Sequence, residues 1–438
     1  MKNTQNTHKK SRFYFGARLA IAAVVASSIF YTSCSSNKKA VTPTAAASYS
    51  TYQQIFTLCM LSNLSGAFNK QSSATIHDST IYYTDRILTD STFQTYMGHW
   101  KCVWGPSVML NDPKKNDSMA INSMFIAQNL DSPSLFVVAI AGTNFASGYD
   151  WLNEDFKVER FKYWDSVLAN VYDTTTTTPG LRYPSAFISR PTFMGLFNLM
   201  SLHDTTLPGS PTAYQFLTNL VDTSHLSNIN IWTTGHSLGG ALAPTLALYL
   251  QNKMIGTNAK PKATTLSINC LAAAGATPGD MRFSALYKKY LQANTIRVWN
   301  RNDVVPHGFE GDMLQQVDTI YNFAGIPTPS LIQNTINATN LALFLYNYRQ
   351  LYPATDTEFT SAIYTNANFI NPADSTSILT PTMFLGQLVC QHVPAYPHYF
   401  GVDSIQVCIQ HIMHATKPFF SGGFTPQPIT AKVSIPAQ

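Results

Sequence analysis

The stretch Asn228-Ile229-Asn230-Ile231-Trp232-Thr233-Thr234-Gly235-His236-Ser237-Leu238-Gly239 decides the fold. Its first seven residues alternate in a β-branched and aromatic pattern that predicts a strand, Asn228 to Thr234. The residues from Gly239 to Lys253, rich in Ala and Leu, predict a helix. Between them Gly235-His236-Ser237-Leu238-Gly239 must turn the chain sharply, and glycines flank the serine because the neighbouring backbones come too close for side chains. A serine held there is strained, exposed and at a helix N-terminus, which makes Ser237 a candidate nucleophile. Pro244 sits awkwardly in the following helix, because it removes the amide that Gly240's carbonyl would accept from.

Outward from this unit the same alternation continues. Thr264 to Ala273 predicts a strand, Met281 to Gln292 a helix and Asn294 to Asn300 a strand, while Phe193 to Leu202 and Pro211 to Asp222 predict helices upstream. Repeated β-α-β order implies an α/β fold: a mostly parallel central sheet with helices on both faces. Ser118 to Asn129 and Ser134 to Ala141 predict a β-hairpin about Leu130-Asp131-Ser132-Pro133, and Thr51 to Ser65 and Ile76 to Tyr96 predict two helices. Tyr149 to Ser189, with its threonine run ahead of Pro179-Gly180, reads as an exposed loop. Residues 311–389 offer helical stretches such as Ser330 to Leu351 without evident strands, and read as a helical insertion or cap.

A serine hydroxyl is a poor nucleophile alone and needs a general base that is itself held by a carboxylate. On such a turn the acid and then the histidine follow the serine in the chain. Asp303, just past the strand ending at Asn300, stands where the acid belongs; its bland reading is a surface Asn-Asp turn. The histidines beyond it are His307, His392, His398, His411 and His414. His307, four residues on, reads as a loop neighbour. His411 and His414, three apart on a helix predicted from Ser404 to Ala415, suit a structural role or a metal pair. The residues alone leave His392 and His398 open.

Together these segments resemble the class 3 lipase family, the fungal-lipase-like branch of the α/β-hydrolases, over roughly Phe125 to Phe400 apart from insertions. Asn302-Asp303-x-Val305-Pro306 and Tyr396-x-His398 resemble that family's surroundings of its acid and base, which favours His398 over His392. Phe136-Val137-Val138-Ala139-Ile140, then Ala141-Gly142-Thr143, then Asp150-Trp151-Leu152-Asn153, resemble its oxyanion strand, loop and lid-side segment. The resemblance implies a Ser237, His398 and Asp303 triad, and an oxyanion site from the Thr143 hydroxyl and amide and the Leu238 amide. It also implies hydrolysis of lipid or small esters, as by a triacylglycerol lipase or a related esterase or phospholipase, with no cofactor or metal. Two departures stand out: Ala141 replaces the usual arginine, and a Gly-x-Pro segment becomes Gly275-Ala276-Thr277-Pro278-Gly279. The competing reading is a catalytically inactive, lipid-anchored binding module on the same scaffold.

Charged residues make up only 12% of the 438, and the net charge of +5 is misleading. Lys2, Lys9, Lys10, Arg12 and Arg18 all precede residue 34, with no acid among them; removing these five leaves 23 basic against 23 acidic residues. A neutral chain has no footprint for nucleic acid. The basic start, the apolar stretch from Leu19 to Tyr31 and Thr32-Ser33-Cys34 resemble a bacterial lipoprotein signal. We therefore expect a signal over 1–33, a lipidated Cys34, a tether over 34–50 and a hydrolase core over 51–310 and 390–438. The expected location is secreted and lipid-anchored at a bacterial outer membrane, where the acylated cysteine binds the bilayer. Five further cysteines rule out a full disulfide framework; Cys270 reads as core, and Cys390 and Cys408 could pair.

Overall fold

A computed structural model describes residues 49–114, 118–142, 160–177, 185–256, 265–363 and 379–413. The signal, Cys34 and nearly all of the tether, Thr143, the segment about Trp151, and His414 lie outside them. In chain order come α1 (Thr51–Leu61), a 3-10 stretch (Ser62–Phe68), α2 (Ser73–Thr89), α3 (Ser91–Met97), β1 (Trp100–Leu110), β2 (Ala120–Asn129) and β3 (Leu135–Ile140). Next are β4 (Phe161–Tyr163), α4 (Trp164–Ala169), β5 (Phe187–Ser189), α5 (Arg190–Met200), α6 (Ala213–Thr223), β6 (Asn228–His236) and α7 (Leu238–Leu250). The remainder is β7 (Thr265–Ala273), α8 (Met281–Leu291), β8 (Thr295–Asn300), α9 (Gly311–Gln316), α10 (Ser330–Tyr346), β9 (Thr355–Phe359), α11 (Leu379–His392), α12 (Ala395–Phe400) and α13 (Asp403–Ile412).

The main sheet has the order β1-β2-β3-β6-β7-β8-β9. Its first two pairings are antiparallel, and the four from β3 to β9 are parallel. This is the α/β-hydrolase-like arrangement expected. Alternate strand residues feed two cores, because successive side chains point to opposite faces. Phe136, Val138, Ile229, Ile231, Ile268 and Cys270 pack with α5 to α8 on one face. Val137, Ala139, Leu271 and Ala273 pack with α1, α2, α3, α12 and α13 on the other. Every residue of α7 is buried, so its small side chains are what allow it to lie against the sheet.

The register brings the C-terminal strand ends to one edge: Ile140 lies opposite Gly235, His236 opposite Ala273, and Asn300 opposite Phe359. In open α/β sheets that edge is where ligands bind. Pro244 does lie inside α7; the Gly240 carbonyl it leaves without an amide packs on Gly275, where a Cβ would come within 2.4 Å of it.

Several expectations change. The single helix predicted over Ile76 to Tyr96 is two, because the Asp90 carboxylate accepts from the Thr92 and Phe93 amides and starts a new helix there. Residues 311–389 do contain a strand, β9, whose Thr355-Asp356-Thr357-Glu358-Phe359 alternates polar and half-buried as an edge strand does. It is tied to β8 by the ion pair of Arg297 and Asp356, 2.9 Å apart. The described part of the region read as an exposed loop holds β4, α4 and β5, with Trp164 fully buried. Cys408 carries a free thiol facing Asp90, so the pairing with Cys390 is not made.

Candidate active site

Ser237 stands between β6 and α7 with φ 62° and ψ −125°, a conformation that costs an L-residue roughly 1–3 kcal/mol and is held only because the surroundings enforce it. A Cβ on Gly235 would come 2.1 Å from the Gly239 carbonyl oxygen, and one on Gly239 would come 2.6 Å from that of Ile140. Any larger side chain at either position would push the turn open. The Ser237 amide donates to the Ala273 carbonyl, and the Gly240 and Ala241 amides donate to the Ser237 carbonyl, so the turn is fixed from both sides.

Asp303 follows β8 and is fully buried. Its Oδ1 accepts from the Val305 amide at 3.0 Å, and its Oδ2 accepts from His392 Nδ1 at 2.8 Å and from Tyr396 Oη at 2.7 Å. His307 donates from Nδ1 to the Asp303 backbone carbonyl, holding the loop rather than the carboxylate. With Nδ1 donating to the acid, His392 presents the lone pair of Nε2, and Ser237 Oγ lies 2.8 Å from it. Carboxylate, imidazole and hydroxyl thus form one continuous hydrogen-bonded line in a buried setting.

The imidazole is His392, not His398, which corrects the sequence reading. His398 lies on α12 and its Nδ1 meets Asp403 Oδ2 at 2.9 Å, partly in solvent. The reason is helix phase. Residues two apart on a helix point about 200° apart, so when Tyr396 turns inward to Asp303, His398 must turn away. His392 ends α11 and is anchored by its neighbours. Gln391 bonds through its carbonyl and side-chain oxygen to Asn300 Nδ2 at 3.0 and 2.8 Å, and Asn300 Nδ2 also reaches Ser361 Oγ at 3.0 Å. His236 Nε2 donates to the His392 carbonyl at 2.8 Å.

Burial shapes the charges. It drives the pKa of His236 well below the ordinary 6.5, aided by the neighbouring His392, so His236 is a neutral donor. Burial likewise pushes Tyr396 well above 10, with the adjacent Asp303 carboxylate adding to it, so Tyr396 keeps its proton and donates it.

Of the oxyanion residues, Thr143 lies outside the described residues. Leu238 opens α7, where first-turn amides have no intrahelical acceptor. Gly142 is described, and its Cα lies so near the nucleophile that a Cβ there would come 3.2 Å from that of Ser237. Sequence reasoning quoted Tyr396 and His236 only as parts of the motifs around the base and the nucleophile, gave neither a role, and did not single out Gln391. The signal that could have found Tyr396 was the Tyr396-x-His398 pattern, and for His236 and Gln391 it was adjacency to Ser237 and His392.

Residues 137–312, spanning Ser237 and Asp303, match the model of the lipase (class 3) family. Among solved structures the chain is similar to M37 lipase, at 25% identity and a TM-score of 0.61 over 84% of this chain and 98% of that one. It is more distantly similar to the triacylglyceride lipase of Rhizomucor miehei, at 16% identity and a TM-score of 0.34 over 59% of this chain and 75% of that one. Lipase II from Rhizopus niveus matches at 15% identity and a TM-score of 0.34 over 60% of this chain and 78% of that one. No curated protein matches the sequence. Residues 137–312 therefore resemble the class 3 lipase family on an α/β-hydrolase-like fold, and the chain that carries them is a carboxylic ester hydrolase.

Proposed function

We propose that this protein hydrolyses lipid esters through an acyl-enzyme on Ser237, with His392 as the base and Asp303 as the acid that orients it. The observation that carries this reading is the unbroken line from Asp303 Oδ2 to His392 Nδ1 and from His392 Nε2 to Ser237 Oγ, each link 2.8 Å long.

In the reaction, His392 Nε2 takes the Ser237 proton as Oγ attacks the ester carbonyl carbon. The carbonyl π pair moves to oxygen, and the resulting oxyanion is met by the Leu238 amide and by Thr143, each fixed donor stabilising it by roughly 3 kcal/mol. The tetrahedral species collapses, the alkoxide leaves with the proton from His392, and the acyl group stays on Oγ. Water then gives a proton to Nε2, attacks the acyl carbon and releases the acid, with the proton returning to Oγ. Asp303 balances the imidazolium in both halves, and Tyr396 and the Val305 amide keep its oxygens in place.

A fluorophosphonate probe tests this directly. Wild-type protein should be labelled once, at Ser237, and Ser237→Ala should neither label nor hydrolyse esters; labelling elsewhere, or an active Ser237→Ala protein, would defeat the reading of Ser237 as the nucleophile. A ladder of ester chain lengths separates lipid from small-ester use. We further propose that Cys34 is acylated and holds the protein at an outer membrane. Cys34→Ala should then move it from the membrane to the soluble fraction, and unchanged partition would count against the anchor.

A further inference from the structure

We infer that Asn63, more than 150 residues before the nucleophile in sequence, is a positioning residue for the oxyanion side of the site. The inference rests on the acyl-enzyme reading above. The last ladder pair between β3 and β6 is Ile140 opposite Gly235, and the Ala141 amide still reaches back to the Ser123 carbonyl on β2. Gly142 provides the first amide beyond the sheet, where no strand acceptor remains. Asn63 Oδ1 takes that amide at 2.9 Å.

The other end of the same carboxamide is occupied as well. Asn63 Nδ2 donates to the Cys59 and Met60 carbonyls, both at 3.3 Å, which belong to the last turn of α1. This pattern fixes which end of the amide is which: an N–H on one side demands oxygen, and two carbonyls on the other demand nitrogen. Asn63 itself is held between Ser62 and Leu64, both buried, with Ser62 Oγ bonded to the Cys59 carbonyl at 2.7 Å.

One side chain therefore clamps the end of α1 to the point where β3 releases the chain toward Thr143. That point also touches the nucleophile, since a Cβ on Gly142 would lie 2.8 Å from the His236 carbonyl and 3.2 Å from Ser237 Cβ. If Asn63 is lost, Gly142 keeps its packing on one side and loses the side-chain acceptor of its amide on the other. The Gly142 backbone, which lies against the His236 carbonyl and Ser237, is then less firmly placed, and oxyanion donors work only when their surroundings are fixed before the charge appears. His392, Asp303 and Ser237 do not touch Asn63, so the proton-transfer line should stay as it is.

The test compares Asn63→Leu, of similar size, and Asn63→Ala with wild type on a water-soluble p-nitrophenyl ester, with Ser237→Ala alongside. A misplacement near an ångström can cost up to about 100-fold, so kcat should fall roughly 10- to 100-fold. KM should stay within about threefold, and the pH profile of kcat/KM should keep its shape. Asn63 is partly buried, and either variant alone suffices should the other fail to fold. A kcat within threefold of wild type in a folded variant overturns the inference, and so does a displaced pH profile, which would place the damage at the imidazole. If Ser237→Ala hydrolyses like wild type, the acyl-enzyme reading falls first; if it is inactive while Asn63→Leu is unimpaired, only the inference about Asn63 falls.

Discussion

Tyr396→Phe removes one oxygen and leaves the ring packed against Phe359 and His236. That oxygen has two partners. It donates to Asp303 Oδ2 at 2.7 Å and accepts from the Asn300 amide at 3.1 Å, all in a fully buried setting. A bond to a charged acceptor contributes about 1.5–3 kcal/mol, and a buried amide left unpaired costs about 1–3 kcal/mol. The two losses overlap, because the carboxylate keeps the His392 and Val305 donors, so about 3 kcal/mol in total is the working figure. For a fold of this size that lowers the Tm by roughly 4 °C. Catalysis should suffer less than from loss of the acid itself, which costs a comparable triad about 10⁴ in kcat. The Asp303–His392 bond survives in the variant, and kcat should drop about 3- to 10-fold, less than 1.4 kcal/mol in the barrier. Thermal denaturation and steady-state hydrolysis of a soluble ester measure both. An unchanged Tm with unchanged kcat would show that the hydroxyl does not brace Asp303, and a loss near 10⁴ would mean Tyr396 takes part in the proton line itself.

Two further outcomes follow from the same geometry. Gly235→Ala would set a methyl 2.1 Å from the Gly239 carbonyl oxygen, so the turn at Ser237 must open, and fluorophosphonate labelling should fall by more than 100-fold; labelling near the wild-type rate would mean the turn tolerates bulk. His236 has a folded pKa depressed by burial, so below 6.5 the unfolded chain binds a proton that the folded one refuses; its contribution to stability is full above that pH and is lost as pH falls. The Tm of wild type should decline between pH 7 and 5, and His236→Gln should flatten part of that decline while buried His307, shifted in the same direction, maintains the rest; an identical slope in the variant would contradict the assignment.

How far the site could be read from residues alone depended on how local each signal was. Ser237 was legible because strand, glycines and helix are contiguous, and Asp303 because it follows a strand that the same alternation exposes. The histidine was not, since its identity depends on where α11 stops and on the phase of α12. Tyr396-x-His398 matched a familiar pattern, but a helix cannot turn both residues toward Asp303. β1 escaped notice because Gly105-Pro106 interrupts its apolar run, and β9 because an edge strand of Thr, Asp and Glu carries little hydrophobic signal. Asn63 leaves no mark in the sequence at all; its distant partner, the Gly142 amide, becomes a neighbour only when α1 crosses the end of β3.

The central claim is that His392 alone carries the proton between Ser237 and substrate. His392→Gln and His398→Gln, each checked for folding and assayed on the same soluble ester, test it most directly. The expected result is a loss of at least about 10³-fold in kcat for His392→Gln, as removal of a triad base brings, with His398→Gln within about twofold of wild type. Full activity in His392→Gln together with an inactive His398→Gln would contradict it.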